Sequence, residues 1–177
     1  MKYIILDRDG TLIEHIPYLK DENQVSLIPG AKLMINVFLN KGYYIFLHTN
    51  QSGISRGYFT INEVEKCNNK MFELLDIKKN DFKRICIAPD YPSNKDSYRK
   101  PSIKFGTEII NRFEVNLKNL FYIGDSISDL ETAHNLCCNG IGIDYCKNNL
   151  LKEDLKNKNL NFPVYDSLEE ITDIIIK

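Results

Sequence analysis

Short runs of β-forming residues alternate along this chain with stretches that carry the apolar periodicity of an amphipathic helix. The runs that favour strands are residues 2–6, 43–48, 84–88, 120–123 and 140–143. Most of them lack the polar–apolar alternation of a half-exposed strand, which is typical of strands covered on both faces. Strands that alternate with helices predict a parallel sheet with right-handed crossovers. We therefore expect an α/β fold, a Rossmann-like parallel sheet with helices on both faces.

Helix start signals lie between these strands. Thr60 and Glu63 have the spacing of a capping box, which begins a helix, and Ser167 and Glu170 repeat that spacing near the C-terminus. The predicted helices are residues 29–40, 60–75, 102–113, 128–136 and 168–176.

Two stretches break this alternation. Residues 13–28 are too irregular for a helix, and we expect them to form a small hairpin over the sheet edge. Residues 89–101 contain three prolines and predict a loop. Neither stretch is long enough for a separate domain, so the 177 residues predict a single domain, 1–177.

Charge and composition limit the classes of partner. The net charge of -1, from 23 basic and 24 acidic residues, argues against an electrostatic grip on nucleic acid or on an anionic membrane surface. No apolar run approaches the roughly 20 residues that span a bilayer. The apolar stretch at the N-terminus meets charge after about four residues, which does not predict a signal peptide. We expect a cytoplasmic monomer whose partner is a small molecule. Its five cysteines form no C-x-x-C pair, and we expect free thiols, mostly buried.

Polar residues with catalytic capacity follow the predicted strands. They are Asp7, Asp9, Thr49, Asn50, Lys100, Asp125 and Asp129. In open α/β sheets, ligands bind outside the carboxyl ends of the strands. Four loops from one edge of the sheet would therefore supply carboxylates, a hydroxyl and an ammonium to a common crevice.

Each of these motifs also has a plain structural interpretation. Asp7 to Gly10 fits a polar Asp-Gly turn after a strand, and Ser128 or Asp129 could cap a helix. It is less plausible that all four motifs are only turns at the same edge of the sheet than that they form one functional site. The carboxylates of Asp7 and Asp125 together indicate a site for a hard cation such as Mg²⁺, which takes oxygen ligands.

Four motifs of this sequence resemble those of haloacid dehalogenase-type phosphatases, in order and in spacing. They are DRDGTL, HTNQSG, the RKP that contains Lys100, and GDSISD. The segment NQSGISRGYFT at 50–60 indicates one branch of this family. Together with DRDGT and RKP, it resembles the branch that contains D-glycero-D-manno-heptose 1,7-bisphosphate phosphatases and histidinol-phosphate phosphatases. The resemblance implies a fold of the haloacid dehalogenase type with a minimal cap.

The resemblance assigns catalytic roles to matching residues. Asp7 would be the nucleophile and would form an aspartyl-phosphate. Asp9 would be the general acid toward the leaving alkoxide and then the general base for water. Thr49 and the backbone N–H of Asn50 would bind phosphoryl oxygens, while Lys100 would neutralise charge between Asp7 and the transferring group.

The resemblance also implies a magnesium site and a substrate side. The carboxylates of Asp7 and Asp125 and the backbone carbonyl of Asp9 would hold Mg²⁺, and Asp129 would orient Lys100 or a metal-bound water. Expected substrate contacts are His15, Ile16, Pro17, Tyr18, Thr49, Asn50, Gln51, Ser52, Arg56, Arg99 and Lys100. Arg99 and Arg56 are the guanidinium groups available for a second phosphate or a polyol. We expect a heptose bisphosphate, used in nucleotide-heptose or surface-polysaccharide synthesis, and a hydrogen-bonded structural role for His48.

The sequence departs from the pattern of this branch at its structural zinc loop, Cys-x-His followed by Cys-x-Cys. The corresponding positions are Ala88, Asp90, Asp96 and Tyr98. No thiolate remains there, so we expect no zinc.

Three alternatives stay open. A histidinol-phosphate phosphatase belongs to the same branch, and a polynucleotide 3′-phosphatase shares a similar TNQ-x-G-I motif, although strand binding needs a basic groove and stacking aromatics. A non-catalytic receiver module is also a parallel α/β fold with an acidic cluster and a lysine. Asp9 argues against that module, because an acid/base group serves turnover and a receiver does not need one.

Overall fold

The computed structural model describes residues 1–91 and 97–177. These residues contain a single six-stranded parallel sheet. Its strands are β1 (Tyr3–Leu6), β2 (Tyr44–Asn50), β3 (Phe82–Ala88), β4 (Leu120–Gly124), β5 (Asn139–Ile143) and β6 (Val164–Tyr165). They pair in the order β3-β2-β1-β4-β5-β6. The order changes direction between β1 and β4, where a crevice opens in doubly wound sheets. The predicted α/β, Rossmann-like fold is confirmed.

Two strands differ from the prediction by two residues at one end, and the other three by one residue. The sequence predicts that Thr49 and Asn50 follow β2, but they are its last two residues. They belong to the strand because they pair with Ile87 and Ala88 of β3. β3 itself begins at Phe82, two residues before the predicted start, since Phe82 pairs with β2.

Six α-helices follow the strands in the described part of the chain, one after each strand. They are α1 (Ala31–Asn40), α2 (Ile61–Leu75), α3 (Lys104–Phe113), α4 (Ile127–Leu136), α5 (Leu150–Asn157) and α6 (Leu168–Ile176). Thr60 and Glu63 form the predicted capping box of α2. The predicted caps of α4, Ser128 or Asp129, are wrong: Ser126 is its N-cap.

Two elements have no counterpart in the prediction. α5 is a short and mostly polar helix that buries only Leu151 and Leu155, so its periodicity in the sequence is weak. β6 has two residues, and Val164 pairs with Gly142 of β5. A strand of that length is defined by its partner rather than by its own sequence.

Helices cover both faces of the sheet. Alternate residues of β1 point to opposite faces and therefore belong to two different cores. Ile4 and Leu6 belong to the core beneath α1, α2 and α6, with Met34, Met71 and Ile171. Ile5 belongs to the opposite core beneath α3 and α4, with Phe105 and Leu136.

The stretch 13–28 lies beside the carboxyl edge as an antiparallel pairing, as the sequence predicts. Ile13 pairs with Leu27, and the N–H of Ile28 donates to the carbonyl of Leu12 at 3.0 Å. The middle of the predicted loop 89–101, residues 92–96, lies outside the described residues.

All five cysteines are free thiols, as predicted. The expectation that most are buried is wrong. Only Cys67 is buried, while Cys137 and Cys146 are exposed. Cys137 is exposed because it caps the C-terminal end of α4. Within the part of the chain that the structure describes, every helix is too short or too polar to span a membrane.

Candidate active site

Side chains from separate loops meet at the carboxyl edge of the sheet, where the strand order changes direction. Asp7 follows β1, Asp125 follows β4, and Lys100 lies in the segment after β3. The Lys100 Nζ atom lies 2.6 Å from Oδ1 of Asp7 and 2.6 Å from Oδ1 of Asp129. The structure therefore brings together the lysine and carboxylates that the sequence predicts at this edge.

Asp7, Asp125 and Asp129 could hold a metal ion. Their ligand atoms lie within 4.8 Å of one another, and this is the one group of three or more potential ligands found in residues 1–91 and 97–177. Gly10 makes room for it, because a Cβ atom at Gly10 would lie 1.9 Å from Oδ2 of Asp125. The positive φ of Gly10, +78°, also favours glycine. Carboxylate oxygens are the ligands that Mg²⁺ prefers, so the residues present fit this cation.

The electrostatics of the site favour a bound cation. Burial, opposed by the charge of Lys100 and assisted by the carboxylates of Asp129 and Asp9, raises the pKa of Asp7 to about 7. Burial also raises the pKa of Asp125 to about 8, again assisted by the negative charges of Asp7 and Asp129. Burial alone lowers the pKa of Lys100, but Asp129 and Asp7 raise it above its usual value. One ammonium thus faces three carboxylates, and a divalent cation would balance the excess negative charge.

Asp129 orients Lys100 from the first turn of α4. Its side chain is fully buried, and its second oxygen accepts hydrogen bonds from the N–H of Ser126 at 3.1 Å and the hydroxyl of Ser126 at 2.7 Å. Gly124 leaves space for this carboxylate, because a Cβ atom there would lie 2.2 Å from the Asp129 side chain. The capping box of α4 therefore fixes the carboxylate that holds the lysine.

The backbone of Lys100 is held by Asn50. The Lys100 N–H donates to Oδ1 of Asn50 at 2.9 Å, and the Asn50 amide donates to the Lys100 carbonyl at 3.3 Å. This reciprocal pair joins the end of β2 to the segment after β3. The sequence places Asn50 at the site but does not indicate this contact, which depends on the approach of two distant segments.

The Asp9 carboxylate accepts hydrogen bonds from two residues of β2 and the loop after it. Gln51 Nε2 donates to Oδ2 of Asp9 at 2.8 Å and to Thr49 Oγ1 at 2.8 Å. Thr49 Oγ1 in turn donates to Oδ2 of Asp9 at 3.3 Å. Thr49 and Gln51 therefore fix one oxygen of the predicted acid/base group.

Arg8 is a residue of this site that sequence reasoning missed. Its guanidinium makes a bidentate contact with Asp9, and its side chain is 1% exposed. An arginine between two aspartates gives no signal in the sequence that it points inward. Its burial follows from packing against Asn68 of α2, which accepts from Arg8 Nη1 at 2.9 Å.

His48 lies beneath the lysine segment as a structural residue, as the sequence predicts. Its Nε2 lies 2.7 Å from the carbonyl of Tyr98, and its Nδ1 lies 2.7 Å from the hydroxyl of Tyr122. Because a carbonyl only accepts, Nε2 carries the proton and Nδ1 accepts from Tyr122. Burial, reinforced by the charge of Lys100, lowers the pKa of His48 to about 3, so the ring is neutral.

The other side of Tyr98 is held at the surface of α3. Its hydroxyl donates to the Glu108 carboxylate, which also receives a hydrogen bond from Arg84 at 2.8 Å. Tyr98 is thus anchored by its carbonyl to His48 and by its hydroxyl to Glu108. These two anchors lie two residues before Lys100 and fix the start of the segment that carries it.

A cleft of about 400 Å³ opens above the carboxylates. Predicted substrate contacts that line it are His15, Ile16, Pro17, Tyr18, Asn50, Gln51, Ser52 and Lys100. Lining residues that the sequence did not indicate are Arg8, Leu19, Gly53, Phe59, Ser126 and Ser128. At the rim, the rings of Tyr18 and Tyr58 make an edge-to-face pair with centroids 4.7 Å apart.

Three predicted substrate contacts are not among the described residues that line this cleft: Thr49, Arg56 and Arg99. Thr49 is buried beneath it. Arg56 is exposed, and its guanidinium lies 5.5 Å from the ring centroid of Tyr91. Burial lowers the pKa of Arg99, and the positive charge of Arg56 lowers it further. The charge of one guanidinium group thus acts on the other, and neither residue belongs to the described lining of the cleft.

The geometry can be compared with known proteins. The family model for polynucleotide kinase 3 phosphatase matches residues 2–163. The chain belongs to this family. It is a phosphatase of the haloacid dehalogenase type, as its four motifs predict.

Two relatives of this phosphatase show a more specific likeness. It is 31% identical over 136 residues to the D-glycero-beta-D-manno-heptose-1,7-bisphosphate 7-phosphatase of Pseudomonas aeruginosa, which covers 76% of each chain. It is 33% identical over 138 residues to a protein of Thermoplasma acidophilum named probable D-glycero-D-manno-heptose-1,7-bisphosphate 7-phosphatase. That match covers 77% of this chain and 86% of the relative.

A solved structure resembles this phosphatase over nearly its whole length. It is the D,D-heptose 1,7-bisphosphate phosphatase from B. bronchiseptica, complexed with magnesium and phosphate. The TM-score is 0.86 and the identity is 25%, with 99% of this chain and 98% of that chain covered. The carboxylates of Asp7 and Asp125, with Asp129 beside them, offer oxygen donors of the kind that a magnesium ion requires.

The zinc-loop positions of this phosphatase do not fit a zinc site where they are described. Ala88 is buried and offers no ligand, Asp90 offers only a carboxylate, and the Tyr98 hydroxyl is bonded to Glu108. The fourth position, Asp96, lies outside the described residues. The Tyr98 anchors to His48 and Glu108 hold the same segment through hydrogen bonds instead.

Proposed function

We propose that this phosphatase hydrolyses a phosphate monoester by transferring the phosphoryl group first to Asp7 and then to water. The observation that carries the proposal is the buried array in which Lys100 joins Asp7 to Asp129, with Asp125 beside them. Phosphoryl transfer is catalysed mainly by positioning and by stabilisation of charge, and this array supplies both.

In the first step, a carboxylate oxygen of Asp7 forms a bond to phosphorus as the bond from phosphorus to the leaving oxygen breaks. Asp9 gives its proton to that leaving oxygen, so an alcohol departs. The backbone N–H of Asn50 holds the phosphoryl oxygens, Thr49 supports Asp9 from beneath through its hydroxyl, and the Lys100 ammonium keeps Asp7 close to the transferring group. The carboxylates of Asp7 and Asp125 and the backbone carbonyl of Asp9 would hold Mg²⁺, which would supply further charge neutralisation.

In the second step, Asp9 takes a proton from water as the water oxygen forms a bond to phosphorus. The bond from phosphorus to Asp7 breaks, and inorganic phosphate leaves. The starting states of Asp7 and Asp9 are then restored, so the two carboxylates act as nucleophile and acid/base in alternation.

The substrate we propose is a heptose 1,7-bisphosphate, hydrolysed at C7, in the synthesis of nucleotide-heptose or surface polysaccharide. Two kinds of support exist: the names of the relatives, and a polar cleft in a protein whose Arg56 and Arg99 guanidinium groups act on each other electrostatically. These guanidinium groups suit a second phosphate. The near-neutral net charge supports a small-molecule substrate rather than a nucleic acid. We further propose that the enzyme is monomeric and cytoplasmic and that it binds no zinc.

Direct comparison of three substrates tests this proposal: heptose 1,7-bisphosphate, histidinol phosphate and a 3′-phosphorylated oligonucleotide. The oligonucleotide is included because the matching family model is named for a polynucleotide phosphatase. We expect kcat/KM for the heptose to exceed that for histidinol phosphate at least about tenfold, which corresponds to roughly 1.4 kcal/mol. Histidinol offers no anionic partner to either guanidinium, and sites built for hydrogen bonding reject such analogues.

Arg99→Ala separates the contribution of that side chain. It should lower kcat/KM for the heptose and leave histidinol phosphate nearly unchanged. Equal or better turnover of histidinol phosphate by the unmodified enzyme would contradict the heptose assignment. A preference for the oligonucleotide would instead favour the polynucleotide 3′-phosphatase alternative.

A further inference from the structure

The largest fully buried side chain of the described residues is a charged one, Arg8. Its Nη2 atom lies 2.9 Å from Oδ1 and 3.0 Å from Oδ2 of Asp9, and its Nε lies 3.1 Å from Oδ2. A guanidinium that contacts both oxygens of a carboxylate fixes the plane as well as the position of that group. Arg8 therefore determines the direction in which Asp9 presents its oxygens.

The guanidinium is itself held from outside the cleft. Its remaining Nη1 donates to Oδ1 of Asn68 at 2.9 Å, and Asn68 is 3% exposed in the middle of α2. None of the described residues that line the cleft comes from α2. Asn68 thus lies outside the described lining of the cleft, and its buried amide oxygen accepts a hydrogen bond from Arg8.

Asp9 is consequently held by donors from three residues. Arg8 contacts both oxygens, while Gln51 and Thr49 contact Oδ2 at 2.8 and 3.3 Å. Rotation of the carboxylate would break several of these bonds at once. An acid/base group loses efficiency with small errors of position, so such restraint matters more here than at a surface ion pair.

We propose that Arg8 and Asn68 are positioning residues for proton transfer by Asp9. The inference rests on the proposed function, in which Asp9 protonates the leaving oxygen. The competing interpretation is a buried ion pair that serves only the fold. The two differ in their dependence on the leaving group: an alkoxide needs the proton from Asp9, whereas 4-nitrophenolate leaves without one.

The measurement is kcat/KM for heptose 1,7-bisphosphate and for 4-nitrophenyl phosphate, in Arg8→Lys, Asn68→Ala and Asp9→Asn. This ratio covers events up to departure of the first product, so the later hydrolysis of the aspartyl-phosphate does not enter it. Arg8→Lys keeps the charge but loses the bidentate fork. Asn68→Ala leaves Arg8 and Asp9 chemically intact and is the second variant if Arg8→Lys fails to fold.

The matched control is Asn69→Ala, one residue further along α2 at an exposed position. We expect Arg8→Lys and Asn68→Ala to lower kcat/KM for the heptose at least about 30-fold, and for the aryl phosphate less than about threefold. Asn68→Asp, which keeps an acceptor oxygen for Arg8, should recover most of the loss. Asn69→Ala should behave as the unmodified enzyme.

Equal losses on both substrates in folded variants would overturn the positioning role and leave a structural ion pair. The result for Asp9→Asn separates this failure from failure of the proposed function. If Asp9→Asn discriminates between the two leaving groups and Arg8→Lys does not, only the inference fails. If Asp9→Asn shows no discrimination, or the unmodified enzyme hydrolyses neither ester, the proposed acid/base role fails and the inference with it.

Discussion

The Lys100 ammonium lies 2.6 Å from a carboxylate oxygen of Asp7, and both side chains are almost completely buried. A buried charge pair of this kind is strongly destabilised when one partner is removed, because the other is left without compensation. Asp129 accepts a second bond from the same ammonium at 2.6 Å, so Lys100 separates two carboxylates that would otherwise repel each other.

Replacing Lys100 with methionine should therefore remove activity. Lys100→Met keeps the length of the side chain but loses the charge beside the transferring phosphoryl group. We expect kcat/KM to fall at least about 100-fold, the scale of other preorganised electrostatic contacts. The exposed Lys118→Met is the control for a general effect of charge. Retention of more than about a tenth of the activity would contradict the role given to Lys100.

Magnesium should stabilise the protein more at high pH than at low pH. Without metal, the pKa values of Asp7 and Asp125 are raised to about 7 and about 8, above the ordinary value of 3.8. Between pH 3.8 and about pH 8, the folded state therefore binds more protons than the unfolded state. The metal-free protein loses stability as the pH rises through this range. A cation relieves the repulsion that causes this loss. Chemical unfolding with and without MgCl₂ at about pH 8 and about pH 5 measures the difference.

The magnesium effect should depend on Asp125. In Asp125→Asn, one carboxylate of the group is neutral at all pH values, and the stabilisation at high pH should largely disappear. An equal stabilisation by MgCl₂ at both pH values in the unmodified protein would contradict the assignment of these carboxylates as the cation site.

His48 should make the fold sensitive to acid. Its pKa is lowered to about 3 by burial, from an ordinary value of 6.5, so the unfolded state gains a proton below about pH 6.5 and the folded state does not. Its contribution to stability is present above pH 6.5 and is lost as pH falls toward 3, by about 1.4 kcal/mol per pH unit. The difference in unfolding free energy between the protein and His48→Gln should show this slope. Parallel pH profiles for the two would contradict it.

The purified protein should contain no stoichiometric zinc, and a zinc-selective chelator should leave its magnesium-dependent activity unchanged. Elemental analysis that finds one tightly held zinc per chain would refute the zinc-free interpretation.

Tyr98→Phe should lower kcat more than it changes KM, because loss of the bond to Glu108 loosens the segment before Lys100.

Much of the site could be predicted because it follows from the topology. Asp7 and Asp125 directly follow strands of a parallel sheet. The carboxyl ends of such strands lie at one edge of the sheet, regardless of the conformation of the loops. The predicted hairpin at 13–28 also follows from local signals.

The remainder depends on packing between distant segments. Nothing in the sequence shows that Arg8 points inward, because its burial depends on Asn68 of α2. The clamp between Asn50 and Lys100 likewise joins residues 50 positions apart. Arg56 and Arg99 are predicted as substrate contacts from a motif; they are not among the described residues that line the cleft, and their role stays a prediction.

The most direct test of the account is to trap the covalent intermediate. Borohydride reduces an aspartyl-phosphate to homoserine, and peptide mass spectrometry locates the changed residue. After rapid quenching during turnover with Mg²⁺, we predict homoserine at position 7 in the unmodified enzyme and none in Asp7→Asn, which should also lack activity. Robust phosphate release without any modification at Asp7, or with modification at another residue, would contradict the central claim.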